Sequence, residues 1–278
     1  MGRLTSRKRV LRIDGERVLD RPDTLAVEEP LEIRVGGRPL SVTMRTPGDD
    51  MDLAAGFLVS EGVISRTDQL RAMRFCDGAV VDGVNTYNVL DLELDPSVPA
   101  PDPSVERSFY TTSSCGVCGK ASLDAVRTTT SYAVAQDAVA VTPALLSSLP
   151  DRLREAQRVF DKTGGLHAAG LFGAAGEVLC LREDVGRHNA VDKVVGWALR
   201  AGLLPLAGCV LMVSGRASFE LVQKAWMAGI PVLAAVSAPS SLAVELAEEA
   251  GLTLVGFLRG SSMNVYSRPD RVTLPQRA

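Results

Sequence analysis

Cys115 and Cys118 stand three apart in the segment Ser114-Cys115-Gly116-Val117-Cys118-Gly119. Cysteines at that spacing can touch, and Gly116 and Gly119 let the loop fold tightly and expose both sulfurs. The residues that follow, Lys120-Ala121-Ser122-Leu123-Asp124-Ala125-Val126, read as the start of a helix. A thiol at a helix N-terminus, beside a lysine, has its pKa lowered from about 8.5 and is more often a thiolate at neutral pH. A thiolate attacks the sulfane sulfur of a persulfide or one sulfur of a disulfide. Relay of a sulfur atom is the chemistry this pair suits best. A thioredoxin-like redox pair is the nearer rival, although that motif sits between a strand and a helix of a βαβ unit and this one follows a proline-rich segment. A structural zinc site needs about four ligands. The chain has no second Cys-x-x-Cys, and His167 and His188, which could complete a site, lie far along it. Two incidental buried thiols fit poorly with so polar and glycine-rich a loop. The other cysteines, Cys76, Cys180 and Cys209, lie in or beside apolar strand patterns and read as buried thiols. Five cysteines at irregular spacing do not form a disulfide framework.

A second set of residues suits anion binding. Ser214-Gly215-Arg216-Ala217-Ser218, Ser237-Ala238-Pro239-Ser240-Ser241 and Gly256-Phe257-Leu258-Arg259-Gly260-Ser261-Ser262 each follow a short apolar run. In open α/β sheets ligands bind beyond the carboxyl ends of strands, where helix N-termini present free N–H groups to phosphate. Arg216 and Arg259 are candidates for bidentate contacts there. Each end alone is also an ordinary cap or turn, but three together point to a nucleotide-like ligand. The densest polar run is Glu183-Asp184-Val185-Gly186-Arg187-His188-Asn189-Ala190-Val191-Asp192-Lys193. Read plainly it is a solvated loop and helix cap. Its acid, Arg187, His188 and Asn189 would also suit a purine edge or a phosphate.

These residues need a frame. Leu31, Ile33 and Val35, then Leu40, Val42 and Met44, alternate with polar residues about Gly36-Gly37 and predict a hairpin. Asp49 or Asp50 caps a helix to about Ser60, with Leu53, Ala54, Phe57 and Leu58 on one face. Asp77-Gly78 and Asp82-Gly83 mark turns, and Leu90, Leu92 and Leu94 a strand. Four prolines fall within residues 95–104, a linker-like composition. Thr142-Pro143 opens a helix reaching about Lys162, with a break or kink at Pro150. A hairpin is expected about Ala174-Ala175-Gly176. Helices near 189–200, 217–228 and 241–250 then alternate with strands near 209–213, 232–236 and 252–257, the pattern of a mixed, mostly parallel sheet covered by helices. The expected organisation is α/β: a small α+β N-terminal domain over 1–105, the cysteine loop and its helix over 106–130, and a larger α/β domain over 131–278.

The 278 residues are 46% apolar and 23% charged, ordinary for a globular protein, with net charge -3. A general nucleic-acid binder would be strongly basic, so none is expected. No apolar run approaches the roughly 18 to 20 residues of a membrane span, and the basic N-terminus lacks the apolar stretch of a secretory signal. The expected location is the cytoplasm.

The chain resembles the formate dehydrogenase accessory sulfurtransferases. The resemblance rests on Ser113-Ser114-Cys115-Gly116-Val117-Cys118-Gly119-Lys120, Thr163-Gly164-Gly165-Leu166-His167-Ala168-Ala169, the whole run 183–193, Ser214-Gly215-Arg216, Ser237-Ala238-Pro239, and Phe257-Leu258-Arg259-Gly260 with Met263-Asn264-Val265-Tyr266. Thr46-Pro47-Gly48-Asp49 and Ala55-Gly56-Phe57-Leu58 fit it too. It covers nearly all the chain after the first ten or so residues. It implies that Cys115 carries a persulfide received from a cysteine desulfurase and that Cys118 assists. The sulfur would pass to the molybdenum bis(molybdopterin guanine dinucleotide) cofactor required by formate dehydrogenase. That cofactor would be a bound substrate, held partly by Phe257, Leu258, Arg259, Gly260, Ser261 and Ser262, although Ser261-Ser262 stand where other members carry bulkier or charged residues. The resemblance further implies a cytidine-deaminase-like larger domain without the catalytic zinc, hence no resident metal, and a homodimer. Two other roles use the same residues: a cofactor-binding chaperone without sulfur transfer, and a thiol–disulfide reductase.

Overall fold

A computed structural model describes residues 3–76, 80–81, 84–101, 130 and 132–273. Cys115, Cys118 and the helix predicted after them lie outside the described residues. So do both Asp-Gly pairs, although strands β6 (Val80–Val81) and β7 (Val84–Asn85) pair across the second of them.

The sequence predicts no element for the first residues, but β1 (Thr5–Asp14) and β2 (Arg17–Ala26) form a two-stranded antiparallel arm turning at Gly15. A four-stranded sheet follows, ordered β4-β3-β8-β5, from β3 (Glu29–Val35), β4 (Arg38–Arg45), β5 (Leu70–Cys76) and β8 (Val89–Leu94). The predicted hairpin at Gly36-Gly37 is present, with positive φ at both glycines. Its predicted face is only half right. The register shifts between Ile33 and Arg34, so Leu40 and Ser41 both turn inward while Val42 and Met44 are exposed. A bulge changes which side of the pleat each later residue faces.

Helix α1 (Asp50–Ser60) buries Leu53, Ala54, Leu58 and Val59. Its N-cap is one of the two predicted residues, but the side chain makes no cap bond. Asp49 fills that position in a left-handed conformation, and Asp50 is instead held by Arg45, with Nε to Oδ1 at 3.0 Å.

Helix α2 (Pro143–Ala156) begins as predicted, with Leu145 N donating to Thr142 Oγ1 at 3.1 Å. It does not break at Pro150 but runs on to Ala156, and a separate turn, α3 (Phe160–Thr163), follows. Leu146, Leu149 and Leu153 are buried on one face across the proline, and that packing offsets the missing backbone bond.

The larger sheet has the order β10-β9-β11-β12-β13-β14. Strands β11 (Val210–Val213), β12 (Val232–Ala235) and β13 (Thr253–Arg259) are parallel. Strands β9 (His167–Phe172) and β10 (Val178–Asp184) flank them on one side and β14 (Ser262–Ser267) on the other, all through antiparallel ladders. The parallel run is thus confined to the centre of a mixed sheet. Helix α2 covers one face over Leu146, Leu149, Phe172 and Met212. Helices α4 (Arg187–Arg200), α5 (Phe219–Met227) and α6 (Ser241–Ala250) cover the other. That second core is continuous with Leu31, Ile33, Leu53 and Leu58 of the N-terminal part. Among the described residues no helix is long and apolar enough to cross a membrane.

The two parts meet where α1 crosses α4 at Gly56 and Gly196. A Cβ on Gly56 would lie 1.8 Å from the Asp192 carbonyl oxygen, and one on Gly196 would lie 1.8 Å from that of Asp52. Neither obstacle is a movable side chain, so Gly196→Ala should force the helices apart. The expected loss is at least about 3 kcal/mol, at the upper end of overpacking costs, read as a drop in the urea midpoint at unchanged m-value.

Candidate functional site

The sheet's carboxyl edge gathers the loops after β11, β12 and β13. The first two lead into α5 and α6 as predicted, and Ser240 Oγ accepts from Ala243 N at 3.2 Å to cap α6. The third does not lead into a helix. β13 continues to Arg259, turns at Gly260-Ser261 and returns as β14, so 257–262 is a hairpin tip. A phosphate placed at this tip would meet side chains and strand ends, not a helix N-terminus. The loops are stitched together: Ser240 N donates to Ala217 O at 3.0 Å, Phe257 N to Ser237 O at 3.2 Å and Arg259 Nε to Val236 O at 3.4 Å. Phe257 sits at φ 53 with its ring partly exposed. That region is costly for an aromatic residue and is held only where the surroundings insist on it. Leu258 is buried, whereas Arg259, Gly260, Ser261, Ser262 and Arg216 are exposed.

Around Gly215 the edge becomes crowded. Ser214 N donates to Ala168 O at 3.0 Å, and Ala168 N donates to Ser214 Oγ at 2.9 Å, fixing this loop beside His167 at the start of β9. A Cβ on Gly215 would lie 3.4 Å from His167 Nδ1 and 3.8 Å from Arg187 Cδ. Both histidines of the chain therefore come to one edge, because His188 opens α4 beside Arg187. Burial, then the positive charge of Arg187 and the neighbouring His188, pushes His167 below its ordinary value, leaving it neutral at pH 7. Buried Arg187 Nε has no hydrogen-bond partner among the described residues, and such a group is a place for an acceptor.

His188 Nε2 pairs with the Glu220 carboxylate and approaches Ser218 Oγ at 3.3 Å. Behind Glu220 lies Lys224, whose Nζ pairs with Asp192 Oδ1 at 2.8 Å, and Ser60 Oγ donates to the same oxygen at 2.6 Å. Burial works against the Lys224 charge, yet the carboxylates of Asp192, Glu61 and Glu220 hold its pKa above the ordinary value. Burial in turn raises the Glu61 carboxyl. A string of ionisable groups thus runs from the edge into the joint between α1 and α4. The polar run 183–193 signalled His188 but not Glu220, which reaches it only through the tertiary fold.

Asp184 and Asn189 are placed differently from Arg187 and His188. The Asp184 side chain is 0% exposed, and its carboxylate receives Thr46 N at 3.1 Å, Gly186 N at 2.8 Å, Asn189 Nδ2 at 3.0 Å and Lys193 Nζ at 2.8 Å. Asn189 is also buried and donates to Met44 O at 2.8 Å. Both face inward and tie β4 to α4; their reach to any ligand is through the loop they hold. Of the three cysteines in the described residues, Cys180 and Cys209 are buried, and burial pushes Cys180 up to about 12. Cys76 is half-buried at the end of β5, less enclosed than its sequence context predicts.

A hydrogen bond from His188 is the main cause that holds Glu220 below its ordinary value of 4.5. A carboxylate depressed in the folded state adds stability above its unfolded pKa and loses it as pH falls through the folded value. The stability difference between wild type and Glu220→Gln should therefore be full near about pH 5.5 and shrink as acid denaturation proceeds below about pH 4. Urea melts across that range check it. A difference that does not change with pH would mean that the pair is not charged.

The family model for the FdhD/NarQ family matches residues 26–273. A protein of Streptomyces avermitilis named sulfur carrier protein FdhD is 66% identical over 275 residues, covering 99% of this chain and 98% of its own. A protein of the same name from Mycobacterium tuberculosis is 59% identical over 276 residues, covering 98% and 100%. One from Thermoplasma volcanium is 43% identical, covering 98% and 97%. A crystal structure from Desulfotalea psychrophila, described as a candidate formate dehydrogenase accessory protein, shares the fold with a TM-score of 0.75. It is 23% identical and covers 98% of this chain and 100% of its own.

Proposed function

This chain belongs to the FdhD/NarQ family, and on that footing we propose that it is a sulfur carrier in formate dehydrogenase maturation. The observation that carries the reading is the near full-length identity, 66% over 99% of the chain, to a protein named as a sulfur carrier. In this reading the Cys115 thiolate attacks the sulfane sulfur of a persulfide on a cysteine desulfurase. The S–S bond of the donor breaks, its cysteine leaves as the thiolate, and Cys115 becomes the persulfide. Cys118 assists. Buried Cys180, with a pKa near 12, is a poor competitor for this role. The sulfur then passes to the molybdenum bis(molybdopterin guanine dinucleotide) cofactor, which is a substrate here. Its phosphates meet Arg216, Arg259 and the N–H groups of the Ser214 and Ser237 loops, near Arg187 and His188. Residues 1–105 and 131–278 serve as two domains, and the segment 106–130 between them carries the cysteine pair. The protein works as a cytoplasmic homodimer with a cysteine desulfurase and a formate dehydrogenase as partners, and binds neither nucleic acid nor membrane.

After incubation with a cysteine desulfurase and cysteine, the intact protein should gain the mass of one sulfur, located to the Cys115 peptide and removed by reductant. Cys115→Ala should abolish both that gain and the recovery of formate dehydrogenase activity in cells lacking the protein, while guanosine diphosphate binding persists. A Cys115→Ala protein that still restored the activity would refute sulfur carriage. Loss of two hydrogens from the cysteine pair, with no sulfur gained, would indicate a thiol–disulfide reductase.

A further inference from the structure

The N-terminal arm ends in an exposed apolar patch. Ile13 is paired with Val18, and Leu11 stands two residues from Ile13 along β1, so the three side chains share one face of the hairpin. Leu11 is 70% exposed, Ile13 72% and Val18 60%. Arg9 and Asp20, which pair at 3.0 Å, flank them on that face. Lys8, Arg12, Arg17 and Arg21 lie on the opposite face and are exposed. The two faces thus differ, one apolar with a neutral pair of charges, the other basic. A two-stranded hairpin is only marginally stable in water by itself, and a contiguous exposed apolar patch marks a surface that meets a partner. Both edges of the arm are free, but they suit pairing poorly. Strand β1 carries four cations against one acid, so a second β1 beside it would set like charges together. In β2, Pro22 has no N–H to donate. The apolar face is what remains for contact.

We propose that two copies of this chain associate through their arms, with the Leu11, Ile13 and Val18 faces stacked on one another across a two-fold axis. The inference rests on the proposed homodimer and gives that dimer its contact. A two-fold contact needs a patch that complements itself. This one is apolar at its centre, and its flanking Arg9 and Asp20 can each meet the opposite charge of the other copy. Charge favours a second copy in another way. Residues 5–26 hold six cations and four acids, net +2, so the chain's net charge of -3 leaves -5 outside the arm. The basic outer faces therefore complement the remainder of either copy. Asp14, Glu16, Asp20 and Asp23 are interleaved with the cations. That mixture suits a protein surface better than the uniform negative field of a nucleic acid or an anionic bilayer.

Sedimentation equilibrium on the full chain reads this association, and wild type should be dimeric. Ile13→Asp occurs twice in each dimer and should raise the dimer Kd by at least about a hundredfold. Val18→Ser should act in the same direction, and it serves where Ile13→Asp does not fold. Arg12→Gln, on the basic face, should change the Kd by less than about tenfold. A dimer that persists unchanged in both Ile13→Asp and Val18→Ser overturns the arm contact and leaves the homodimer standing. A monomeric wild type overturns both. If that monomer pellets with phosphatidylglycerol vesicles, the patch belongs to a bilayer. If it binds formate dehydrogenase and Ile13→Asp abolishes the binding, the patch belongs to that partner. The gain of sulfur on Cys115 is measured separately, so sulfur carriage stands or falls independently of the arm.

Discussion

Two helices touching backbone to backbone set the terms for the rest of this protein. Where α1 crosses α4, Gly56 and Gly196 leave no room for even a methyl group. That proximity carries charges into the joint. Asp52 on α1 receives Arg182 Nη2 at 2.9 Å and also pairs with Arg200. Ser60 reaches Asp192, and Lys193 Nζ, with its side chain 1% exposed, lies 2.9 Å from Thr46 O and 2.8 Å from Asp184 Oδ2. A buried ion pair is weak evidence of net stability, but breaking one leaves an uncompensated buried charge. The crossing therefore specifies one arrangement of the two parts, and it also holds the helix whose first residues are Arg187 and His188.

The same architecture separates two kinds of polar residue that sit side by side in the run 183–193. Asp184, Asn189 and Lys193 turn inward and are spent on the joint. Arg187 and His188 turn to the sheet's edge, one with a buried N–H that has no partner among the described residues and the other held by Glu220. The sheet's edge is thus mounted on a buried internal network, so Arg187 and His188 are held in place there.

Much of the fold was legible because it follows from local pattern. The hairpin at Gly36-Gly37, the cap at Thr142, and the alternation of helix and strand from 187 onward all depend on neighbours in the chain. The N-terminal arm had a signal too, since Asp14-Gly15 lies between Leu11, Ile13 and Val18, but the charges interleaved there mask the alternation. The face of β4 was not legible, because one register shift at Ile33 reverses it. Nor was the persistence of α2 through Pro150, which depends on the core it meets.

For the site the division is similar. The paired cysteines, the Ser-Gly-Arg turn and the two histidines announce thiol and anion chemistry through residue type and spacing alone, because reactivity at that level resides in the side chain and its immediate neighbours. Tertiary structure decided that His167 and His188, 21 positions apart, share one edge, that Glu220 holds the second, and that 257–262 is a strand hairpin. It also made a cleft beside Ser214. These depend on strand order and helix packing, which are set by contacts between residues distant in the chain and leave no mark in any single segment.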